Sequence, residues 1–298
     1  MSRTRDVSSE PMPILPPRDP AGHQGTYGRV LLVGGSRGMA GSIALSGISS
    51  LRAGAGLVTV ATPRVIQPIV AGFSPLLMTV GLADDDDRFA HDALPPLQDL
   101  ADGADVVAIG PGLGQSASVR SLVAALTRHV PKPMVVDADA LNALAELEGG
   151  LESPHGPRIL TPHPGEMRRL MGHEIGETDD DRLLAATTLA KADPAGQTIV
   201  VLKGHRTVIA AGDRFAINAT GNPGMATAGA GDVLTGIIAG LLAQGMEPWE
   251  GARLAVSLHG TAGDLAADQK GETSVVATDL IELLPAAMQQ QGRGVTNF

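Results

Sequence analysis

The chain contains no cysteine. That excludes disulfides, thiolate nucleophiles and cysteine metal sites together. Aromatic residues make up only 2%, so the core must be aliphatic, with alanine and glycine letting backbones come close. Positive charge is also scarce. Lys and Arg number 22 against 32 Asp and Glu, a formal net charge of −10. A nucleic-acid surface needs a basic stripe along the phosphates, so this balance argues against one. It leaves room for a small phosphorylated ligand held at a local positive spot. Long apolar runs are missing too. The longest strongly apolar helical stretch is GIIAGLLA at 236–243, far short of the ~18 residues of a membrane span. The first twenty residues lack the apolar core of a signal peptide. These absences lead us to expect a soluble, cytoplasmic protein with neither nucleic acid nor membrane as partner.

The 298 residues, 43% of them hydrophobic, suffice for one large α/β domain. The polar, proline-rich start predicts a flexible arm over 1–15, then a single domain over 16–290 and a tail over 291–298. Short apolar runs closed by glycine, proline or acidic turns predict strands in RVLLVGG (29–35), LVTVATP (57–63) and VVAIGPGLG (106–114). PMVVDADALNAL (133–144) and RILTPHPGEMRRLMG (158–172) each read as strand, turn and helix. TIVVLKGHRTVIAAG (198–212) reads as two strands around a basic turn, and 42–54, 232–245 and 249–268 as helices. ADDDDR (83–88) reads as a solvated loop. Strands alternating with helices imply a mostly parallel sheet covered on both faces, with one antiparallel hairpin.

Loops that follow parallel strands gather at the carboxyl edge of a sheet, where ligands bind. The first such loop, GGSRGMAGS (34–42), spaces its glycines as Gly35-x-x-Gly38-x-x-Gly41. A Rossmann loop needs G-x-G-x-x-G and an acid about 20 residues on, but no Asp or Glu occurs from Ser42 to Ala83. A dinucleotide-fold oxidoreductase is therefore set aside. The stretch GNPGMATAGAGDVLTG (221–236) is more telling. Val233, Leu234, Ile237, Ile238, Leu241 and Leu242 form one apolar helical face, which puts Asp232 in the first turn. A helix start exposes unpaired N–H groups and a partial positive charge, and small residues before it let a phosphate approach. Asp232 is then either a stabilising first-turn acid or a general base taking a proton from a hydroxyl that attacks phosphorus.

Three further loops carry two readings each. In TPHPGE (161–166), Glu166 is a first-turn acid or the holder of a magnesium-bound water, and His163 a loop histidine or a substrate contact. KGHRT (203–207) is a hairpin tip or a contact to nucleotide. Asp137 and Asp139 form an Asx turn or help hold Mg²⁺ through water. No histidine spacing suits a transition metal, and His129 and His259 read as structural.

The segments HQGTYGRVLLVGGS, GMAGS, AIGPGLG, VVDADALNAL, ILTPHPGEM, VLKGHRTVI and NPGMATAGAGDVLTGIIAGLLAQG together resemble the nucleotide-dependent NAD(P)H-hydrate dehydratases of the ribokinase-like superfamily. The resemblance runs from about Pro16 to Leu284. GAGD marks only the superfamily; NPGMAT-x-G-x-GD-x-LTG with TPHPGE and GPGLG is far more specific. His163 stands where the superfamily's kinases often carry the asparagine of N-x-x-E, and His23-Gln24-Gly25 departs from the His-Lys-Gly of many members.

The resemblance implies a ribokinase-like three-layer α/β/α fold and a repair reaction. ADP or ATP, with Mg²⁺, phosphorylates the ring hydroxyl of the S epimer of hydrated NADH or NADPH, and phosphate then leaves. Asp232 would be the base. Ala40, Gly112, Gly114, His163 and Asp232 would face the hydrated dinucleotide. Lys203, Gly204, His205, Arg206, Thr207 and Gly231 would face the nucleotide, and Ala228, Gly229, Ala230 and Gly231 would form an anion hole. Glu166 would hold Mg²⁺ through water. A homo-oligomer, a tetramer in relatives, is also implied. A fused epimerase domain is not expected, with only about 20 residues ahead of the match, so the epimerase would be a separate partner. The alternative is a vitamin-precursor kinase of the same superfamily, which shares Asp232 and the glycine loop. A nucleotide-binding regulatory module without turnover is the reading from another class.

Overall fold

The computed structural model describes residues 4–147 and 154–293. Its strands are β1 (Arg5–Asp6), β2 (Arg29–Val33), β3 (Leu57–Pro63), β4 (Met78–Leu82), β5 (Asp84–Asp85), β6 (Arg88–Phe89), β7 (Val106–Ile109), β8 (Met134–Val136), β9 (Arg158–Leu160), β10 (Thr198–Leu202), β11 (Val208–Ala211) and β12 (Arg214–Ile217). Its helices are α1 (Ala40–Arg52), α2 (Gln67–Phe73), α3 (Leu94–Asp102), α4 (Ala117–His129), α5 (Asp139–Ala145), α6 (Pro164–Met171), α7 (Asp179–Lys191), α8 (Ala230–Ala243), α9 (Pro248–Lys270) and α10 (Ala277–Arg293).

Ten strands form one sheet in the order β1-β12-β11-β10-β9-β8-β7-β2-β3-β4. All but β11 run in the same direction. The central strands are apolar throughout because both faces are covered. On β2, Val30 and Leu32 enter the core shared with α8 and α9, while Leu31 and Val33 enter the core under α3 and α4. The layering is the three-layer α/β/α arrangement expected. The basic turn 203–207 joins β10 to β11 as an antiparallel hairpin, and β12 extends it with a second hairpin that the sequence reading missed.

Two expectations are corrected. The segment read as an arm over 1–15 is pinned from residue 4 onward; residues 1–3 lie outside the described residues. β1 pairs with β12, Val7 is 1% exposed, and Met12 and Leu15 pack on the core. A neighbouring strand edge offers backbone partners that a polar segment can use without a core of its own. The charge run 83–88 is likewise no featureless loop. β5 and β6 pair across Asp86 and Asp87, both at positive φ, and Arg37 ion-pairs with Asp87. Of the expected tail, residues 291–293 end α10 and residues 294–298 lie outside the described residues.

Helices α1 and α8 meet through small residues. A Cβ on Gly236 would overlap the Ser49 hydroxyl and the Ser46 carbonyl, so only glycine allows this approach. The closeness lets the Ser46 hydroxyl donate to the Asp232 carbonyl (2.8 Å) and the Ser50 hydroxyl to the Gly236 carbonyl (3.0 Å). Each such bond contributes about 1 kcal/mol. On the other side of α8 lies α9, whose first turn holds the only tryptophan of the chain. Trp249 is buried, and the Arg214 guanidinium of β12 stacks 4.4 Å from its ring centre.

Candidate active site

The glycine-rich stretch ends in a helix start open to a ligand. Gly229, at the N-cap of α8, has φ 87°, a left-handed conformation that strains any residue with a Cβ. No side chain caps the first turn, so its N–H groups stay available to an anion. The approach to this turn is anchored on α9. Asp264 accepts from the Gly221 N–H (2.9 Å) and the Asn222 side-chain amide (3.0 Å), and the Thr220 hydroxyl donates to the Ser257 carbonyl (3.1 Å).

Asp232 sits in that first turn with a carboxyl group pushed up to about 6. Burial is the main cause and the negative charge of Asp137 adds to it, while the Ser42 hydroxyl and the Lys203 ammonium pull the other way. Ser42 was not foreseen. It lies in the first turn of α1, and its Cβ is 3.3 Å from where a Cβ would stand on Gly112. Ser42 therefore joins the start of α1 at Ala40, the loop of Gly112 and the Asp232 carboxyl. Gly114 donates its N–H to Asp139 (2.8 Å), and Arg88 of the acidic hairpin lies along it.

Behind the helix start is a buried cluster of charge. Lys203 donates to Asp137 (2.7 Å) and lies 3.8 Å from Glu166, and the Thr235 hydroxyl donates to the other oxygen of Asp137 (2.8 Å). Burial alone would drive the Lys203 ammonium to lose its proton, but the carboxylates of Asp137 and Glu166 outweigh it and hold its pKa above the ordinary value. The ammonium stands 3.3 Å from where a Cβ of Gly231 would be. A positive charge thus lies directly behind the anion-accessible turn. Between Asp137 and Asp139, Ala138 adopts φ 49° and ψ −121°, a strained conformation for a residue with a Cβ.

His163 and Glu166 form a capping box on α6. His163 Nδ1 accepts from the N–H groups of Gly165 (3.0 Å) and Glu166 (3.3 Å), and the His163 N–H donates to Glu166 (2.8 Å). Burial lowers the His163 pKa, helped by Lys203 and Arg169, and raises that of Glu166. The first-turn acid reading of Glu166 is thus the observed geometry, and Lys203 beside it keeps it within the charged cluster. The turn 203–207 divides in two. Lys203 turns inward, whereas the Gly204–Thr207 tip is held from outside: Arg182 donates to the His205 carbonyl, Arg206 pairs with Asp179 (2.8 Å), and Thr207 donates to the Gly204 carbonyl (3.1 Å). His205 and Arg206 are exposed and lie outside the buried cluster. Among the described residues, no group of three or more His, Asp or Glu side chains gathers as a metal cage.

The family described as NAD(P)H-hydrate dehydratase matches residues 30–286. A bifunctional NAD(P)H-hydrate repair enzyme of Moorella thermoacetica is 50% identical over 92% of this chain and 52% of its own length. The chain therefore spans about half the length of such curated relatives. An ADP-dependent (S)-NAD(P)H-hydrate dehydratase of Neisseria meningitidis is 37% identical over 91% of this chain and 87% of its own. The crystal structure of the Bacillus subtilis ADP/ATP-dependent NAD(P)H-hydrate dehydratase, co-crystallised with ATP and Mg²⁺, superposes with a TM-score of 0.78 at 33% identity, covering 93% of this chain and 95% of that one. The glycine turn, Asp232 and the charged cluster behind them thus sit on a ribokinase-like α/β/α fold, and the chain belongs to the NAD(P)H-hydrate dehydratase family.

Proposed function

We propose that the protein restores NADH and NADPH from the S epimer of their hydrates, using ADP or ATP as phosphoryl donor. The observation that carries this reading is Asp232. It is a half-buried carboxylate with a pKa raised to about 6, in the uncapped first turn of α8, with the Lys203 ammonium behind that turn. Asp232 takes the proton of the ring hydroxyl as its oxygen attacks the terminal phosphorus. The bond from phosphorus to the leaving nucleotide breaks, and AMP or ADP departs. The N–H groups over Ala228–Gly231 stabilise the charge on the transferring phosphoryl group. Phosphate, a far better leaving group than hydroxide, then leaves the ring while the neighbouring carbon loses a proton, which restores the double bond.

Ala40, Gly112, Gly114 and His163 form the dinucleotide side of this site, tied to the base through Ser42. Lys203–Thr207 and Gly231 form the nucleotide side. Glu166 fits a hydrated Mg²⁺ better than direct ligation, since one of its oxygens is taken by the His163 N–H; magnesium keeps several waters and leans on substrate phosphates. A bound Mg²⁺ would offset the negative charge of the donor phosphates. The donor and the reduced dinucleotides are metabolites of the cytoplasm, so we place the activity there; among the described residues no helix is long and apolar enough to cross a membrane. An epimerase, fused or separate, would supply the S epimer from the R epimer.

A homo-oligomer is part of the proposal. Val65, Ile69, Phe73, Leu76 and Met78 are each 45–69% exposed around α2 and β4. β4 ends the sheet, so the patch flanks an open strand edge.

The test is the near-ultraviolet absorbance of the dihydronicotinamide ring when the protein meets hydrated NADH, Mg²⁺ and either nucleotide. A nucleotide-dependent rise with release of phosphate is the expected result and names the donor. A stable phosphate ester in place of free phosphate would turn the assignment to a small-molecule kinase.

A further inference from the structure

His259 lies on α9 and faces the first turn of α8. Its Nε2 stands 2.9 Å from the Ala230 carbonyl. A carbonyl only accepts, so the ring must carry its proton on Nε2 and donate it. Burial, opposed by the bond to Ala230 and helped by the nearby Lys203 charge, brings the His259 pKa down to about 4. The ring is thus neutral at neutral pH and adds no second cation beside Lys203.

The carbonyl it holds belongs to the same rigid plane as the N–H of Gly231. A trans peptide fixes the two on opposite sides, so pinning one direction pins the other. In a helix the carbonyl points along the chain and the N–H points back out of the first turn. A hydrogen bond to the Ala230 oxygen also polarises the amide and strengthens its N–H as a donor. Gly231 has no side chain of its own to steady this peptide, and Gly229 before it is equally bare.

We propose that His259 is a positioning residue: through the Ala230 carbonyl it aims the Gly231 N–H at the phosphoryl group. The inference rests on the anion-hole role proposed above for residues 228–231. Removing an anion-hole donor outright costs about 10²–10³ in rate, and a donor left present but free to tilt costs less, roughly tenfold. His259→Leu removes the donor, whereas His259→Gln keeps an amide N–H of similar reach.

Both variants are assayed against wild type for kcat, for KM of the hydrated dinucleotide and for nucleotide Kd by calorimetry, below the melting transition of each. Leu should lower kcat about tenfold and weaken nucleotide binding about threefold, with KM of the hydrated substrate unchanged, and Gln should restore both to about wild type. Wild-type values in the Leu variant, or equal losses in Leu and Gln, overturn the inference. A wild-type protein that binds nucleotide without dehydrating the substrate defeats the proposed function alone, and the series of Kd values still decides the role of His259.

Discussion

At the scale of single residues, Asp232 ties stability and activity together with opposite signs. Its carboxyl is raised from 3.8 to about 6 in the folded protein. The folded state therefore binds a proton more readily than the unfolded one between those values. The stability this provides is full below 3.8 and lost as pH rises through about 6. The proposed base must be ionised to act, so kcat/KM should fall as pH drops through about 6, read from a pH–rate profile. Asp232→Asn should keep nucleotide binding and lose at least ~10² in kcat. It should also be more stable than wild type at neutral pH, by on the order of 1–3 kcal/mol in unfolding free energy, with the gap closing in acid. A wild-type rate in Asp232→Asn would remove the residue from the mechanism. Ala138 makes a second case. Glycine there relieves its left-handed strain, so Ala138→Gly should stabilise the fold by about 1 kcal/mol, measured by denaturant midpoint. It should slow turnover, because the strained link sets Asp137 against Asp139. The first-turn place of Asp232 was legible because the pattern that sets it lies in adjacent residues. The inward turn of Lys203 was not: its partner Asp137 is 66 residues away, and Thr235 and Asp137 are 98 apart.

At the scale of elements, the site depends on how closely α1 approaches α8. The many glycines and alanines announced close backbones, but the serines that meet Gly236 lie almost two hundred residues earlier and could not be paired with it from the sequence. Gly236→Ala forces a methyl into the Ser46–Ser49 ridge. Overpacking of this kind costs roughly 1–3 kcal/mol, and it should push the first turn of α8 away from Ser42. Thermal melting and kcat should therefore both fall, with nucleotide Kd less affected than kcat. A variant that melts lower yet turns over normally would separate the seam from the site. The main parallel strands and the hairpin were legible from their apolar runs and turn residues. β1, β4, the β5–β6 hairpin and β12 were not, because two to five residues carry too little pattern, and their pairing is decided by edges formed elsewhere.

For the whole molecule, the net charge of −10 keeps copies apart over most of the surface, and the exposed apolar patch at α2 and β4 is where that repulsion is locally absent. Replacing Ile69 and Phe73 together by lysine should shift the sedimentation profile to single chains; an unchanged profile would move the interface elsewhere. The seam between β12 and α9 has a consequence of its own. With Trp249 as its one indole, the protein's long-wavelength intrinsic emission comes from a single place. That place is the root of the helix that carries His259 and Asp264, the two side chains that grip the glycine turn and its approach. The light emitted on adding nucleotide therefore reports on one question: a changed spectrum means that α9 moves when the turn is loaded, and an unchanged one means that it is a fixed support.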